Sequence, residues 1–108
     1  MLRIYSVVLQ VIRDLRPLIE TLDRHDPDLA RQCKRALVSV PLNIAEGSHS
    51  QGRNRNARYH NALGSMREAR ACFETAIAFG YMNDLDPQVG RSFDQVIGTL
   101  VCVVGSNR

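Results

Sequence analysis

Three arginines stand close together in the run Arg53-Asn54-Arg55-Asn56-Ala57-Arg58. A guanidinium is a planar fork of N–H donors that holds a phosphate or carboxylate through two parallel hydrogen bonds, so a group of arginines is first of all an anion-binding device. Their placement sharpens that reading. They follow a hydrophilic stretch and open a helical pattern, and a helix N-terminus already carries about half a positive charge, so each exposed cation there costs roughly 0.3 to 1 kcal/mol. The arrangement makes sense where a nucleic-acid phosphate binds, met by the free N–H groups of the first turn and by the guanidinium forks. The plainer alternative is a solvated face whose arginines pair with acids on another subunit.

The charge distribution extends the feature. The chain of 108 residues has 14 basic and 11 acidic side chains, a formal charge of +3. Between Arg31 and Arg70 lie eight basic residues (Arg31, Lys34, Arg35, Arg53, Arg55, Arg58, Arg67, Arg70) against two acids, Glu46 and Glu68, which leaves the remainder net acidic. The candidate nucleic-acid contacts are Arg31, Lys34, Arg35, Arg53, Arg55 and Arg58. Tyr59 and His60 follow with rings that stack on bases, although Tyr59 also falls on an apolar stripe, which favours a core role.

Other chemistry is poorly supplied. A di-metal carboxylate bundle needs two Glu-x-x-His pairs facing inward; the nearest approach is Glu46-Gly47-Ser48-His49, a single pair with His49 on the wrong side of Gly47. His25, His49 and His60 show no ligand spacing with the cysteines. No Ser/His/Asp arrangement or phosphate-cradling glycine loop stands out. Hence no catalytic residue, metal or cofactor is assigned, and the chain is read as a non-enzyme. Cys33, Cys72 and Cys102 are odd in number and far apart, which argues for reduced core residues rather than a disulfide framework. One polar group is expected inside helix two. Pro41 removes a backbone hydrogen bond and frees the Leu37 carbonyl, and Arg35, Asn43 and Glu46 are read as a network that fixes the resulting bend; the alternative is that Glu46 contacts a ligand or partner.

Four helical segments must position these residues. From Tyr5, apolar residues recur at Val8, Ile12, Leu15, Ile19 and Leu22, in steps of three and four, so residues 2 to 23 form one helix with a kink expected near Pro17. Asp26-Pro27-Asp28 combines an N-cap, a first-turn proline and a carboxylate that suits the dipole. Helix two then runs over 27–46 on Leu29, Cys33, Ala36, Leu37, Val40 and Ile44, with Gly47 as its stop. Helix three covers 53–79 on Tyr59, Ala62, Leu63, Met66, Ala69, Phe73, Ala76 and Ile77, and Gly80 ends it. The small residues Ala36, Ser39, Ala45, Gly64 and Ser65 should let helices two and three approach closely. Asp86-Pro87 repeats the cap signal for helix four, 87–104. Its end, Leu100 to Val104, is apolar on every face, and such a segment is usually buried on more than one side.

These elements predict an all-α, antiparallel up-and-down four-helix bundle occupying residues 1–108 as a single domain. A folded chain of this size exposes about 6,000 Å², so its core is thin and contacts with further copies would help. Leu100, Val101, Val103 and Val104 are the expected oligomer interface. No apolar stretch approaches the roughly 18 residues of a membrane span and the start does not read as a signal peptide, so no membrane partner and a cytoplasmic location are expected.

Two motifs carry a resemblance. The run Lys34-Arg35-Ala36-Leu37-Val38-Ser39-Val40-Pro41-Leu42-Asn43-Ile44-Ala45-Glu46-Gly47-Ser48, then Ala62-Leu63-Gly64-Ser65-Met66-Arg67-Glu68-Ala69 and Ala78-Phe79-Gly80-Tyr81, resembles the four-helix bundle family of 23S rRNA intervening-sequence proteins. The match covers nearly the whole chain. It departs where the family usually begins helix three with mixed acidic and aromatic residues and this chain has its three arginines. The resemblance implies a bundle that assembles as a ring, commonly a homopentamer, and a nucleic-acid-binding role; related bundles serve reverse transcriptases of diversity-generating retroelements. It brings no catalytic residues. The expected function is therefore a non-enzymatic, ring-forming bundle that binds RNA, DNA or a nucleoprotein such as a reverse transcriptase through its arginines. The alternative is a structural adaptor whose partner is another protein.

Overall fold

The computed structural model describes residues 2–106 and consists of four helices: α1, Ile4–His25; α2, Pro27–Ser48; α3, Gly52–Ala78; and α4, Pro87–Ser106. Each helix packs on its neighbours in sequence, and α1 also packs on α4, which closes the bundle. One residue joins α1 to α2 and three join α2 to α3. Links this short reverse the chain, so adjacent helices run antiparallel.

The starts and stops have local causes. Asp26 accepts a hydrogen bond from the Leu29 N–H at 3.0 Å, with Pro27 at the first helical position. Asp86 caps α4 in the same way, through the Gln88 N–H at 2.8 Å. At the end of α3, Gly80 takes φ +78 while Tyr81 N–H reaches back to the Ala76 carbonyl and Gly80 N–H to that of Ile77. That paired pattern needs a left-handed residue, which glycine adopts without a Cβ penalty. Pro17 and Pro41 both lie inside continuous helices.

The core runs the length of the bundle. Phe73, Phe93, Leu15, Leu22, Ile44 and Met66 are its largest fully buried side chains, and Phe73 meets Phe93 edge-to-face at 6.5 Å. The expected stripes are largely the observed ones. Tyr5, Ile12, Leu18, Leu29, Val89 and Ile97 flank the core as partly buried residues.

Two expectations about glycines are corrected. Helix α2 does not stop at Gly47; it continues to Ser48, with Gly47 buried inside it. Gly64 is exposed, with nothing within 4 Å of where a Cβ would stand, so it does not draw α2 and α3 together.

Helix α4 corrects a third. Leu100 and Val104 are buried in this chain's own core, Val103 packs against it, and Val101 is 43% exposed. The apolar end of α4 is therefore chiefly the bundle's own interior. It is apolar on so many sides because α4 sits between α1 and α3.

Candidate nucleic-acid interface

The turn from α2 to α3 is built on a close approach. A Cβ placed on Gly47 would stand 2.4 Å from Cε1 of Tyr59, a separation that carbon atoms do not tolerate. The absent side chain is what lets Tyr59 lie against α2, where the residue is 4% exposed. Tyr59 is thus a core residue and is not available to a base. Gly52 completes the turn with φ +58.

Arg55 locks this turn from the other side. Its Nε donates to the carbonyl of Ser50 at 2.9 Å and to that of Gly47 at 3.3 Å. A helix leaves its last carbonyls without intrahelical partners, and a cation beside them also suits the negative end of the dipole. Arg55 therefore stands at the start of α3 to serve the end of α2, and this half-buried side chain is a structural clamp. Its neighbour Asn56 has a buried Oδ1 without a hydrogen-bond partner, the one such side-chain atom among the described residues.

The other predicted cations divide into groups. Arg31 pairs with Asp28, and Arg70 pairs with Asp94 while its guanidinium lies over the Phe93 ring at 5.7 Å from the centroid. Arg53, Arg58, Lys34 and Arg35 are exposed, and none of them takes part in an ion pair among the described residues. Because α2 and α3 form a hairpin, the basic segment between Arg31 and Arg70 folds back on itself. Arg53, Arg55 and Arg58 fall at one end of the bundle, beside the start of α1 and its Arg3. At the opposite end the last turn of α1, the turns and the helix starts carry Asp23, Asp26, Asp28, Asp84 and Asp86. The basic end has the features an anion would use. The first turn of α3 has no side-chain cap and no acidic residue, in contrast to α2 and α4, whose caps are aspartates.

The expected network of Arg35, Asn43 and Glu46 is corrected. Asn43 Nδ2 donates to the Ser39 carbonyl at 2.8 Å and to Ser39 Oγ at 2.9 Å, and Ser65 Oγ donates to Ser39 Oγ at 2.8 Å. This half-buried chain joins α2 to α3 without a charge. Short side chains at four-residue spacing reach one another more readily than Arg35 reaches Glu46 along an exposed face. Arg35 and Glu46 instead line a shallow groove of about 480 Å³ with Val38, Leu42 and Arg58.

Outside this region, Cys33 and Cys72 are buried beside one another and Cys102 is exposed, so the expectation of a core role fails for Cys102. Its place on α4 turns it outward. Burial, followed by the neighbouring Cys72, pushes the Cys33 thiol up to about 12, and burial likewise raises Cys72. Both are therefore held as neutral thiols. At the acidic end, Tyr81 stacks between His25 and Phe79, with ring centroids 5.3 and 5.4 Å apart. Spacing along the chain does not join these three rings; the aromatic-glycine-aromatic triplet at the stop of α3 is the one local signal of them. Among the described residues no cluster of His, Cys, Asp or Glu could hold a metal ion, and no helix is long and apolar enough to cross a membrane.

Comparison with protein families matches residues 2–96 to the model described as 23S rRNA-intervening sequence protein. Comparison with curated proteins and with solved structures gives no match.

Proposed function

Since the chain belongs to the 23S rRNA-intervening sequence protein family, we propose that it is a non-catalytic RNA-binding bundle whose contact surface is the basic end around Arg53 and Arg58, acting as an assembly of several copies. The observation that supports this most directly is the pairing of two exposed, unpartnered arginines with an uncapped helix N-terminus. Backbone N–H groups and guanidinium forks together suit phosphate oxygens. Lys34 and Arg35 extend the positive surface along α2, whereas Arg31 and Arg55 are engaged by Asp28 and by backbone carbonyls. Multiplication of the surface in an assembly would raise the strength of individually weak phosphate contacts. Neither the family nor the all-helical bundle suggests catalysis.

The test is binding of fluorescently labelled single-stranded RNA and of DNA at low salt, with the Arg53→Ala/Arg58→Ala variant alongside. Binding by the parent chain and a marked loss in the variant support the reading; no binding of either nucleic acid removes it. The second reading, a protein adaptor, is favoured by Val38 and Leu42, apolar side chains that are 55% and 60% exposed.

A further inference from the structure

The groove on the α2–α3 face contains a charge that its neighbours do not explain. Lys34, Arg35 and Arg58 supply cations and Glu46 stands among them, yet the Glu46 side chain makes no ion pair or hydrogen bond among the described residues. Val38 and Leu42 form an exposed apolar floor, and with Glu46 they follow one another at four-residue steps, so the three share one face of α2. The Asn43 amide is turned to Ser39. Arg58 belongs to the basic end as well, so the groove continues that surface. Its volume of about 480 Å³ lies within the range of small-molecule sites, about 300 to 1,000 Å³. There is room for one splayed nucleotide.

We infer that this groove holds one guanine base of a single-stranded RNA, with Glu46 as the group that reads it. Phosphates alone do not suit the site, because the carboxylate repels them. A base resolves the mixture. The cations take the flanking phosphates, the aliphatic side chains cover a face of the base, and the carboxylate, which only accepts hydrogen bonds, takes donors on the base's Watson–Crick edge. Guanine presents two donors side by side there, the N1–H and the N2 amino group, and so matches both carboxylate oxygens. Adenine and cytosine each set a bare ring nitrogen beside the amino group, and uracil sets its one N–H between two carbonyls; each brings a lone pair against Glu46. In a duplex that edge is already paired. An acidic protein segment would neutralise the cations but leave Glu46 facing further carboxylates.

The inference rests on the proposed RNA binding at the basic end. Its test is fluorescence anisotropy with labelled, uridine-rich single strands that differ at one central position, which carries guanosine, inosine, adenosine, cytidine or uridine. Circular dichroism verifies that each variant folds. The guanosine strand should bind about tenfold more tightly than the uridine strand, within the range of one bidentate base contact. Inosine, which lacks the amino group, should lose most of that preference, and annealing each strand to its complement should remove it. Glu46→Gln should erase the guanosine preference while the all-uridine strand binds at least as tightly as before, a pattern that loss of fold does not produce. Lys34→Ala should weaken every strand alike. A Glu46→Gln protein that keeps the preference overturns the guanine reading while RNA binding stands. A parent chain that binds all strands equally does the same and leaves Val38 and Leu42 to a protein partner. No binding of any strand overturns both.

Discussion

Gly47 lies so close under the ring of Tyr59 that a methyl group there would meet Cε1 at 2.4 Å. This relationship joins the end of α2 to the second turn of α3, and so sets where Arg53 and Arg58 emerge. Gly47→Ala should therefore destabilise the bundle although alanine favours helix. Overpacking of this sort costs about 1 to 3 kcal/mol, readable as a fall in melting temperature. Combined with Tyr59→Leu, which removes the ring, Gly47→Ala should cost little further. A Gly47→Ala protein that melts with the parent chain would show that the ring moves aside freely.

Arg55 should act on stability more than on binding. Arg55→Ala removes the donor to the Ser50 and Gly47 carbonyls and should lower stability by about 1.5 kcal/mol, the lower range for a hydrogen bond from a charged group. Arg55→Lys should recover little of it, because a flexible ammonium does not reproduce the planar fork. Chemical denaturation of the three proteins checks this. An Arg55→Ala protein of full stability but without RNA binding would move Arg55 back among the phosphate contacts.

Asn56 offers a contrasting case. Its buried Oδ1 has no partner, and an unsatisfied buried polar group costs about 1 to 3 kcal/mol. Asn56→Leu, close in shape, should raise the melting temperature. A fall would mean that the amide makes an interaction that holds the start of α3.

The thiols give a pH dependence with a definite sign. Unfolded, Cys33 ionises near 9.0; folded, burial keeps it protonated up to about 12. The folded state thus binds more protons in that interval, so the contribution is fully present below pH 9 and is lost as pH rises toward 12. The decline in stability across this window should be smaller in Cys33→Ala/Cys72→Ala. Alkylation supplies an independent check: Cys102, which is exposed, should react in the native protein, with Cys33 and Cys72 reacting only after unfolding. Equal rates for all three would contradict their burial.

The parts of this molecule legible in its sequence are those governed by local rules. The stripes of α1 and α3, the Asp26-Pro27 and Asp86-Pro87 starts and the Gly80 stop each depend on a few neighbouring residues, and each is found where the pattern indicates. The misreadings arise where a distant residue decides. Gly47 looks like a stop until Tyr59 is seen against it. Arg55 looks like an unfavourable cation at the start of α3 until the carbonyl end of α2 is placed beside it. Ser39 prefers Ser65, on another helix, and Asn43 joins that pair rather than Arg35 and Glu46. At the candidate site, the three arginines were visible as a group, but their division into a clamp and two free cations required the hairpin.

That division is tested most directly by the salt dependence of single-stranded RNA binding. Each phosphate neutralised on a single strand contributes about 0.7 to the slope of log affinity against log salt. Arg53→Ala/Arg58→Ala should therefore bind more weakly and lower the slope by about 1.4 if each arginine meets one phosphate, with the melting temperature unchanged. An identical affinity and slope in the folded variant would contradict the assignment of the basic end as the RNA-binding surface.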